Sequence, residues 1–554
     1  MSEAPPYSAL SYSWDDQSPD YELPCSGALI YITANVKSCL PYLAVENESN
    51  YFWIDAVCIN QANILEKDHQ VSLMKAIYKS ASTVIIWLGE SNPFVDLATE
   101  LLNQNDWSFV NEALNTRNTA TKMIHFRKGV THLVTRPWFT RLWTFQEAVL
   151  ASEVEFRCGR NQLSYHIITG LVRKLGDIAL EAFIKIGFWQ PGDVDRGQVQ
   201  WERIVRCRKH LAKNRELEFP KLMKYSRVLL ASNPVDKVYG MLGLASPKLQ
   251  SLVPIEYGKP YQEVYVDFMR VYLTAEEDPL ILNLTKVSVE GLPSWCPNFS
   301  CRPRYGSSIG ISWSGEKYSA GFNNSNGVGC SQSKAHELRL ISDTKFPVQN
   351  SAVLDKYGNM ISLQGFCVDV ISKSVPFPWS EEDMKRSDPP NKAFYDWEVD
   401  CLEVFNNIAS QPNCSPDAHF RTRTLMQGDY KGISSIQESD YQLLMTAHKN
   451  MGTEQENNLL SRRSIALFYF ITDYAFGRSY FSTTNGRIGL GPADTQPGDQ
   501  VCILYTATTP FILRPISEDP KLYQWIGESY VDGIMSGEAF DLKESDQHQV
   551  FNVI

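Results

Sequence analysis

At 554 residues the chain exceeds a single hydrophobic core, and a typical domain of about 150 residues gives roughly three or four units. Its 43% hydrophobic, 21% charged and 12% aromatic residues exclude an intrinsically disordered chain. A formal charge of -11 and a sequence pI near 5.5 exclude a chain that binds nucleic acid along its whole surface, because polyanions are held by clustered Lys and Arg.

Met1 to Pro6 carry neither a basic nor an apolar leader, and the most apolar stretches, Thr83–Gly89 and Ile465–Thr472, are too short to span a bilayer. A soluble, cytoplasmic protein with no transmembrane segment is expected. Twelve cysteines scattered between Cys25 and Cys502 lack the density of a disulfide scaffold, so reduced thiols are expected. Cys296 and Cys301 have no His or second Cys pair beside them to complete a zinc site, and no metal is expected.

Along the chain, Tyr7 to Tyr12 form a β-prone run that delivers Ser13, Trp14, Asp15 and Asp16 to a loop. Gly27 to Thr33 alternates weakly and leads through Thr33, Ala34 and Asn35, an N-cap region, into Val36–Leu43, which predicts a hairpin and then a helix. Tyr51–Val57 and Thr83–Leu88 are apolar β-type runs. Between them Val71, Met74, Ile77, Tyr78 and Ala81 recur at helical spacing, which makes a βαβ unit with a parallel sheet. Phe126 to Leu150 closes this domain, with Pro137 suited to the first turn of a helix that also holds Trp143 and Glu147.

From 161 to 290 the pattern is mainly helical, including Leu217–Ala231 and Tyr261–Tyr272, with a break at Pro254–Pro260. Pro293–Gly329 is crowded with Gly, Ser, Asn and Pro and reads as loop-rich or β-rich. Helices return over Tyr395–Asn407 and Asp440–Phe476, and Pro497-Gly-Asp499 turns into the strands Val501–Tyr505 and Phe511–Arg514. The resulting division is 1–160, an α/β domain; 161–290, helical; 291–480, mixed loop-rich and helical; and 481–554, a small β-rich unit.

Three segments carry a resemblance: Tyr7-Ser-Ala-Leu-Ser-Tyr-Ser-Trp14, Trp53-Ile-Asp-Ala-Val-Cys-Ile-Asn-Gln61 and Arg136-Pro-Trp-Phe-Thr-Arg-Leu-Trp-Thr-Phe-Gln-Glu147. In this order they resemble the signature of the fungal heterokaryon incompatibility (HET) domain family. Gln70, Met74, Ile77, Tyr78, Ala81 and Trp87-Leu-Gly89 match its intervening helix and strand. Looser likenesses to long HET proteins lie at Asp236–Leu244, Leu292–Pro297 and Gly486–Pro492. Many members carry a segment before the first strand, so the resemblance implies either a shortened gene model or a trimmed edge strand here.

The resemblance implies a part in non-self recognition, in the programmed cell death that follows fusion of incompatible cells, and so in a fungal form of innate immunity. It also implies protein partners, either by self-association or through an incompatibility partner. The HET domain is distantly similar to the Toll/interleukin-receptor (TIR) domain, some members of which cleave NAD at the nicotinamide–ribose bond. The fold so implied is a TIR-like or flavodoxin-like, mostly parallel sheet flanked by helices. In those enzymes a glutamate follows a tryptophan on a helix, and Glu147 after Trp143 is the matching position. NAD is then a substrate, with no prosthetic cofactor.

Read from the residues alone, Leu142, Phe145 and Val149 share one helix face while Trp143 and Glu147 share a neighbouring one, so the carboxylate need not enter the core. A carboxylate near a ribosyl cation stabilises it electrostatically, and Trp14 or Trp143 offers a ring to stack on. Ser11, Tyr12, Ser13 and Asp15 follow the first strand, and Asp55, Cys58, Asn60 and Gln61 follow or end the second. Ligands gather at the carboxyl ends of parallel strands, so these groups and Glu147 form the candidate site.

Alternatives stay open. Glu147 is either catalytic or a partner of Arg136 or Arg141, Asp55 caps a loop or helix or takes part in catalysis, and Asn60 and Gln61 either bind or hold a turn. Cys58 reads as a packed thiol, Trp53, Trp87 and Trp138 as packing residues, Gly306-Ser-Ser-Ile-Gly310 as a loop, and Gly486–Gly491 as a turn. Whether the domain is an enzyme or a non-catalytic signalling or scaffold module is undecided at this level.

Overall fold

The structure is a computed structural model that describes residues 5–14, 17–44, 50–114, 120–186, 193–276, 278–285, 290–301, 320, 353–354, 360–380, 382–383, 391–409, 424, 446, 467–468, 471–472, 474–505, 507–518, 521–541 and 548–554. The chain divides into two compact units, one of residues 1–185 and 189–261, the other of 186–188 and 262–554.

The first unit opens with strand β1 (Tyr7–Ser11), the hairpin β2 (Tyr21–Cys25) and β3 (Ala28–Ile32), and helix α1 (Ala34–Leu43). Thr33 is its N-cap, accepting from the Val36 amide at 3.3 Å. Strand β4 (Tyr51–Trp53) follows. It is shorter than the apolar run Tyr51–Val57 implied, because Asp55 opens a one-turn helix α2 (Asp55–Cys58). A carboxylate suits the positive amino end of a helix.

Helix α3 (Ile64–Ser80) buries Val71, Met74, Ile77 and Tyr78, the stripe read from its spacing, and leads to β5 (Thr83–Trp87). Helices α4 (Pro93–Asn103), α5 (Trp107–Leu114) and α6 (Thr121–Val134) come next. A Cβ on Gly129 would stand 2.1 Å from the Phe94 carbonyl oxygen, so only glycine permits the approach of α6 to α4. Pro137 opens a separate 3₁₀ turn, Pro137–Thr140, instead of the glutamate-bearing helix, which is α7 (Trp143–Leu150). Strands β6 (Val154–Cys158) and β7 (Asn161–Ser164) complete the sheet.

The sheet order is β4-β1-β5-β6-β7, with β4, β1, β5 and β6 mutually parallel and only β7 antiparallel. The first parallel strand lies between the second and the third, so the winding reverses between β1 and β5, and the crevice at the carboxyl ends there is where such sheets take ligands. Val84 to Trp87 are all buried, as a central strand covered on both faces requires.

Helices α8 (Tyr165–Ile186), α9 (Asp193–Ala212), α10 (Phe219–Ser226), α11 (Asp236–Leu242) and α12 (Pro247–Leu252) follow, in keeping with the helical pattern read there. Trp201 of α9 packs edge-on against Phe156, ring centroids 4.9 Å apart, and tilts toward Trp138, tying α9 to the sheet.

In the second unit, α13 (Tyr261–Ala275) is followed by a 3₁₀ segment, Pro279–Leu284, then β8 (Val353–Leu354) and β9 (Ile361–Pro376). Helix α14 (Asn391–Ala409) and strands β10 (Arg478–Thr483), β11 (Ile488–Pro492), β12 (Gln500–Leu504), β13 (Phe511–Glu518), β14 (Lys521–Glu528), β15 (Tyr530–Val531) and β16 (Gln549–Val553) complete it. The carboxyl-terminal β unit is larger than expected, a nine-stranded sheet. Pairings β12-β13-β14-β16-β9-β12 close a five-stranded ring through β9, a 16-residue strand in a stretch read as loop-rich and helical. Where β9 meets β12, a Cβ on Gly365 would lie 2.1 Å from the Ile503 carbonyl oxygen, so the seam needs glycine.

Most of Pro293–Gly329, including Gly306–Gly310, and most of Asp440–Phe476 lie outside the described residues.

Candidate functional site

The carboxyl ends of β1 and β4, neighbours in the sheet, place Tyr12 and Trp14 beside Asp55, with Ser11 at the end of β1. The Tyr12 hydroxyl donates to Asp55 Oδ1 at 2.7 Å, the Trp14 indole to Oδ2 at 3.1 Å, and the Ala56 amide to Oδ1 at 2.7 Å. The Tyr12 and Trp14 rings stack with centroids 6.4 Å apart, which fixes both donors. Burial raises the Asp55 pKa above the ordinary carboxylate value, and these three donors oppose the rise by favouring its charged form. Burial and the Asp55 charge in turn push the Tyr12 phenol well above its usual value.

Glu147 reaches the same neighbourhood from the other side. Thr144 to Val149 are all buried, because α7 is packed against β1 and α3 and also against α9 and α11. The amphipathic reading of this helix therefore fails at Glu147, which is 4% exposed. A helix enclosed on all sides has no solvent face to give a polar residue. Ser11 Oγ and the Tyr78 phenol lie beside the carboxyl, while its Oε2 has no hydrogen-bond partner among the described residues.

Burial pushes the Glu147 pKa up to about 8, the Asp55 charge adds to the rise, and Ser11, Tyr78 and the more distant Arg141 charge oppose it. At neutral pH the group is therefore chiefly a neutral acid. Among the described residues no ion pair joins Glu147 to Arg136 or Arg141. The Arg136 guanidinium donates to the Glu90 carbonyl at 2.6 Å.

Two groups of the candidate set stay apart. Asn60 and Gln61 are exposed, and Asn60 holds a turn, accepting from the Ala62 amide at 3.2 Å while its own amide donates to Glu66 Oε1. Trp143, half-buried, hydrogen-bonds Asp236, whose Oδ1 also accepts from the Tyr257 hydroxyl at 2.6 Å. Asp15 lies outside the described residues. Cys58, read as a packed thiol, is exposed, because it ends the short helix α2; partial desolvation and the nearby Asp55 charge still raise its pKa, which disfavours the nucleophilic thiolate.

The crevice at the winding reversal exists as a cavity of about 280 Å³, lined by Ser13, Asn35, Trp87, Gly89, Arg136 and Trp138 among others. Asn35 organises it, donating to the Ser13 carbonyl at 2.6 Å and accepting from the Trp87 indole at 3.0 Å. Neither Glu147 nor Asp55 lines this cavity. Trp138 does, and its indole donates at 2.8 Å to Ser11 Oγ, the hydroxyl beside Glu147. One indole and one serine thus stand between the crevice and the acid.

Sequence reading missed Tyr78, whose hydroxyl is invisible in an apolar stripe, and Asn35, whose place just inside a helix after a strand was read only as part of an N-cap region. It treated Trp138 as packing, a role the residue fills while also donating its N–H.

Comparison with known proteins matches residues 7–147 to the family described as heterokaryon incompatibility protein (HET) and residues 414–552 to the Het-6 beta-barrel domain. A protein of Neurospora crassa named heterokaryon incompatibility protein 6, OR allele, is 23% identical, aligned over 99% of this chain and 92% of its own length. Vegetative incompatibility protein HET-E-1 of Podospora anserina is 26% identical over 30% of this chain and 11% of its own length. No solved structure matches the chain. Among the described residues no helix is long and apolar enough to cross a membrane.

Proposed function

We propose that this chain, whose residues 7–147 match the heterokaryon incompatibility (HET) family and whose residues 414–552 match the Het-6 β-barrel domain, is a HET protein that acts in non-self recognition between fungal cells as a cytoplasmic signalling protein. The observation that carries this reading is the alignment with the Neurospora protein over 99% of this chain, which includes both units and not the HET domain alone. In the proposal the HET domain transmits the signal to cell death through protein contacts, either with further copies of itself or with an incompatibility partner.

The geometry of Glu147 favours signalling by contact over catalysis in this form of the protein. Nicotinamide leaves NAD as a neutral base and needs no proton from an acid, whereas the ribosyl cation left behind needs an anion. A carboxyl with a pKa of about 8, 4% exposed, supplies little negative charge at neutral pH. The crevice, at about 280 Å³, stands at the lower end of the roughly 300–1,000 Å³ of small-molecule sites, so the argument against NAD cleavage rests on the buried, protonated Glu147 and not on volume.

A second reading, an NAD glycohydrolase of TIR-like or flavodoxin-like fold that acts when assembled, is favoured by one observation. The strand order reverses between β1 and β5, and an acid with a perturbed pKa sits one indole away from the crevice there. It requires Trp138 to move so that Glu147 meets solvent and ionises.

One experiment separates the two. The full chain, fused to an inducible dimeriser in a fungal host, is compared with its Glu147→Gln variant for cell death and for nicotinamide release. Glutamine mimics the neutral acid, so the signalling reading expects undiminished death without NAD loss. Loss of both death and nicotinamide release in the variant, with its melting temperature kept, would establish the enzyme instead.

A further inference from the structure

Away from the Glu147 cluster, the first unit holds a cavity of about 790 Å³ that neither reading above uses. It is formed by the carboxyl ends of α3, α7 and α9 and the connection from α11 to α12. Five cations line it, Lys75, Lys79, Arg208, Lys209 and Arg215, against one carboxylate, Glu216. In a chain whose net charge is -11, that gathering runs against the average.

The ordinary explanation is that these cations serve the three helix ends, since a helix carboxyl terminus carries roughly half a negative charge. Arg208 does so: its guanidinium donates to the Ala148 and Ala151 carbonyls at 2.7 and 2.6 Å, capping α7, and stacks on Tyr165. Three ends and one glutamate neutralise only about half of the five charges, leaving a surplus of roughly two to three. The side chains of Lys79, Lys209 and Arg215 are exposed and make no hydrogen bond or ion pair with a described residue. Lys75, by contrast, donates to Gln250 Oε1 at 3.0 Å, and its pKa is lowered chiefly by burial and secondarily by the neighbouring Lys79 charge.

Apart from Asn214 and Ser246, the rest of the wall is mainly apolar, with Val149, Leu217, Leu244 and Tyr165. A cationic rim over an apolar floor, in a volume within the range of small-molecule sites, suits an anion that carries a flat or apolar body. We propose that this cavity binds a nucleoside polyphosphate, with the phosphates on Lys79, Lys209 and Arg215 and the base on the apolar wall. This proposal is independent of what Glu147 does.

The test is calorimetric titration of the full chain with ATP, and separately with inorganic tripolyphosphate, for the native protein, the double variant Lys79→Glu/Arg215→Glu and a control, Lys37→Glu, whose lysine is exposed and lies over the Tyr21 ring. Because the two target side chains have no partners to lose, the double variant is expected to keep its melting temperature. Expected are ATP binding that weakens tenfold or more in the double variant and stays unchanged in the control, and tripolyphosphate that binds more weakly than ATP and is displaced by it. No ATP binding at millimolar concentration and low salt overturns the proposal, as does equal weakening in the control. Tripolyphosphate binding as tightly as ATP overturns the assignment of the apolar wall to a base.

Discussion

Each of the two units buries a glutamate, and they solve the problem in different ways. In the second unit Glu528, 1% exposed, faces the buried Arg478, whose Nη2 donates to Oε1 at 3.0 Å, while the Asn283 amide donates to Oε2 at 2.8 Å. Charge is matched by charge, and both carboxylate oxygens are satisfied. In the first unit Glu147 has, among the described residues, no cation in contact and no partner for Oε2, and it sits near a second acid, Asp55. There the burial is tolerated by keeping the proton. A paired carboxylate of the first kind is fixed for structure, whereas a carboxyl of the second kind changes charge with small changes of surroundings, which makes it the better candidate for a signalling or chemical role.

The comparison is broken most directly at Arg478. Arg478→Met leaves Glu528 buried without its counter-charge and is expected to cost about 3–5 kcal/mol of stability in denaturant unfolding. Adding Glu528→Leu should recover most of the loss, since an apolar pair of similar volume replaces the ion pair. A loss below 1 kcal/mol in the single variant would show that the buried pair does not hold the barrel unit together.

Glu147 is expected to show itself through pH. Its pKa is 4.5 in a free chain and about 8 in the folded protein, so between those values the folded state holds a proton that the unfolded state releases. The stability it contributes is complete below about pH 4.5, falls as pH rises, and is gone above about 8. Melting of the first unit should weaken over that window by a few kcal/mol, with Asp55, also raised, acting in the same direction. Glu147→Gln should flatten most of the slope. A slope unchanged by that substitution would assign it to other groups.

The contrast itself was not legible in the sequence, but much of the first unit's fold and part of its candidate site were. The β1, α3 and β5 sequences declare themselves because their apolar residues follow the period of the element that buries them, and Ser11, Tyr12, Trp14 and Asp55 stand where strands end. The burial of Glu147 was not legible, since periodicity shows which face is apolar but not that α9 and α11 cover the opposite one. Of the two alternatives left open for Asn60, binding or holding a turn, the geometry takes the turn, because the short helix α2 turns the chain away after Asp55. Strand β9 escaped because its sequence mixes Ser, Gly, Asp and Lys with apolar residues. It closes the ring by changing partners along its length, pairing with β16, β12 and β10, a register that exists only in the assembled sheet.

The smallest expected effect bears on the wall between the crevice and the acid. The Trp138 indole donates to Ser11 Oγ, and this polarises the serine hydroxyl that in turn favours the ionised form of Glu147. Trp138→Phe removes the donor while keeping an aromatic ring, at the cost of some buried volume. Loss of a buried hydrogen bond with some packing should cost about 1–2 kcal/mol at every pH. Beyond that uniform loss, the midpoint of the Glu147 pH slope should move upward, because the weakened serine donor stabilises the carboxylate less. A midpoint that moves downward would mean that removing the indole has let water reach the acid, in which case Trp138 is the gate that the catalytic reading requires and the contrast with the sealed Arg478–Glu528 pair becomes sharper still.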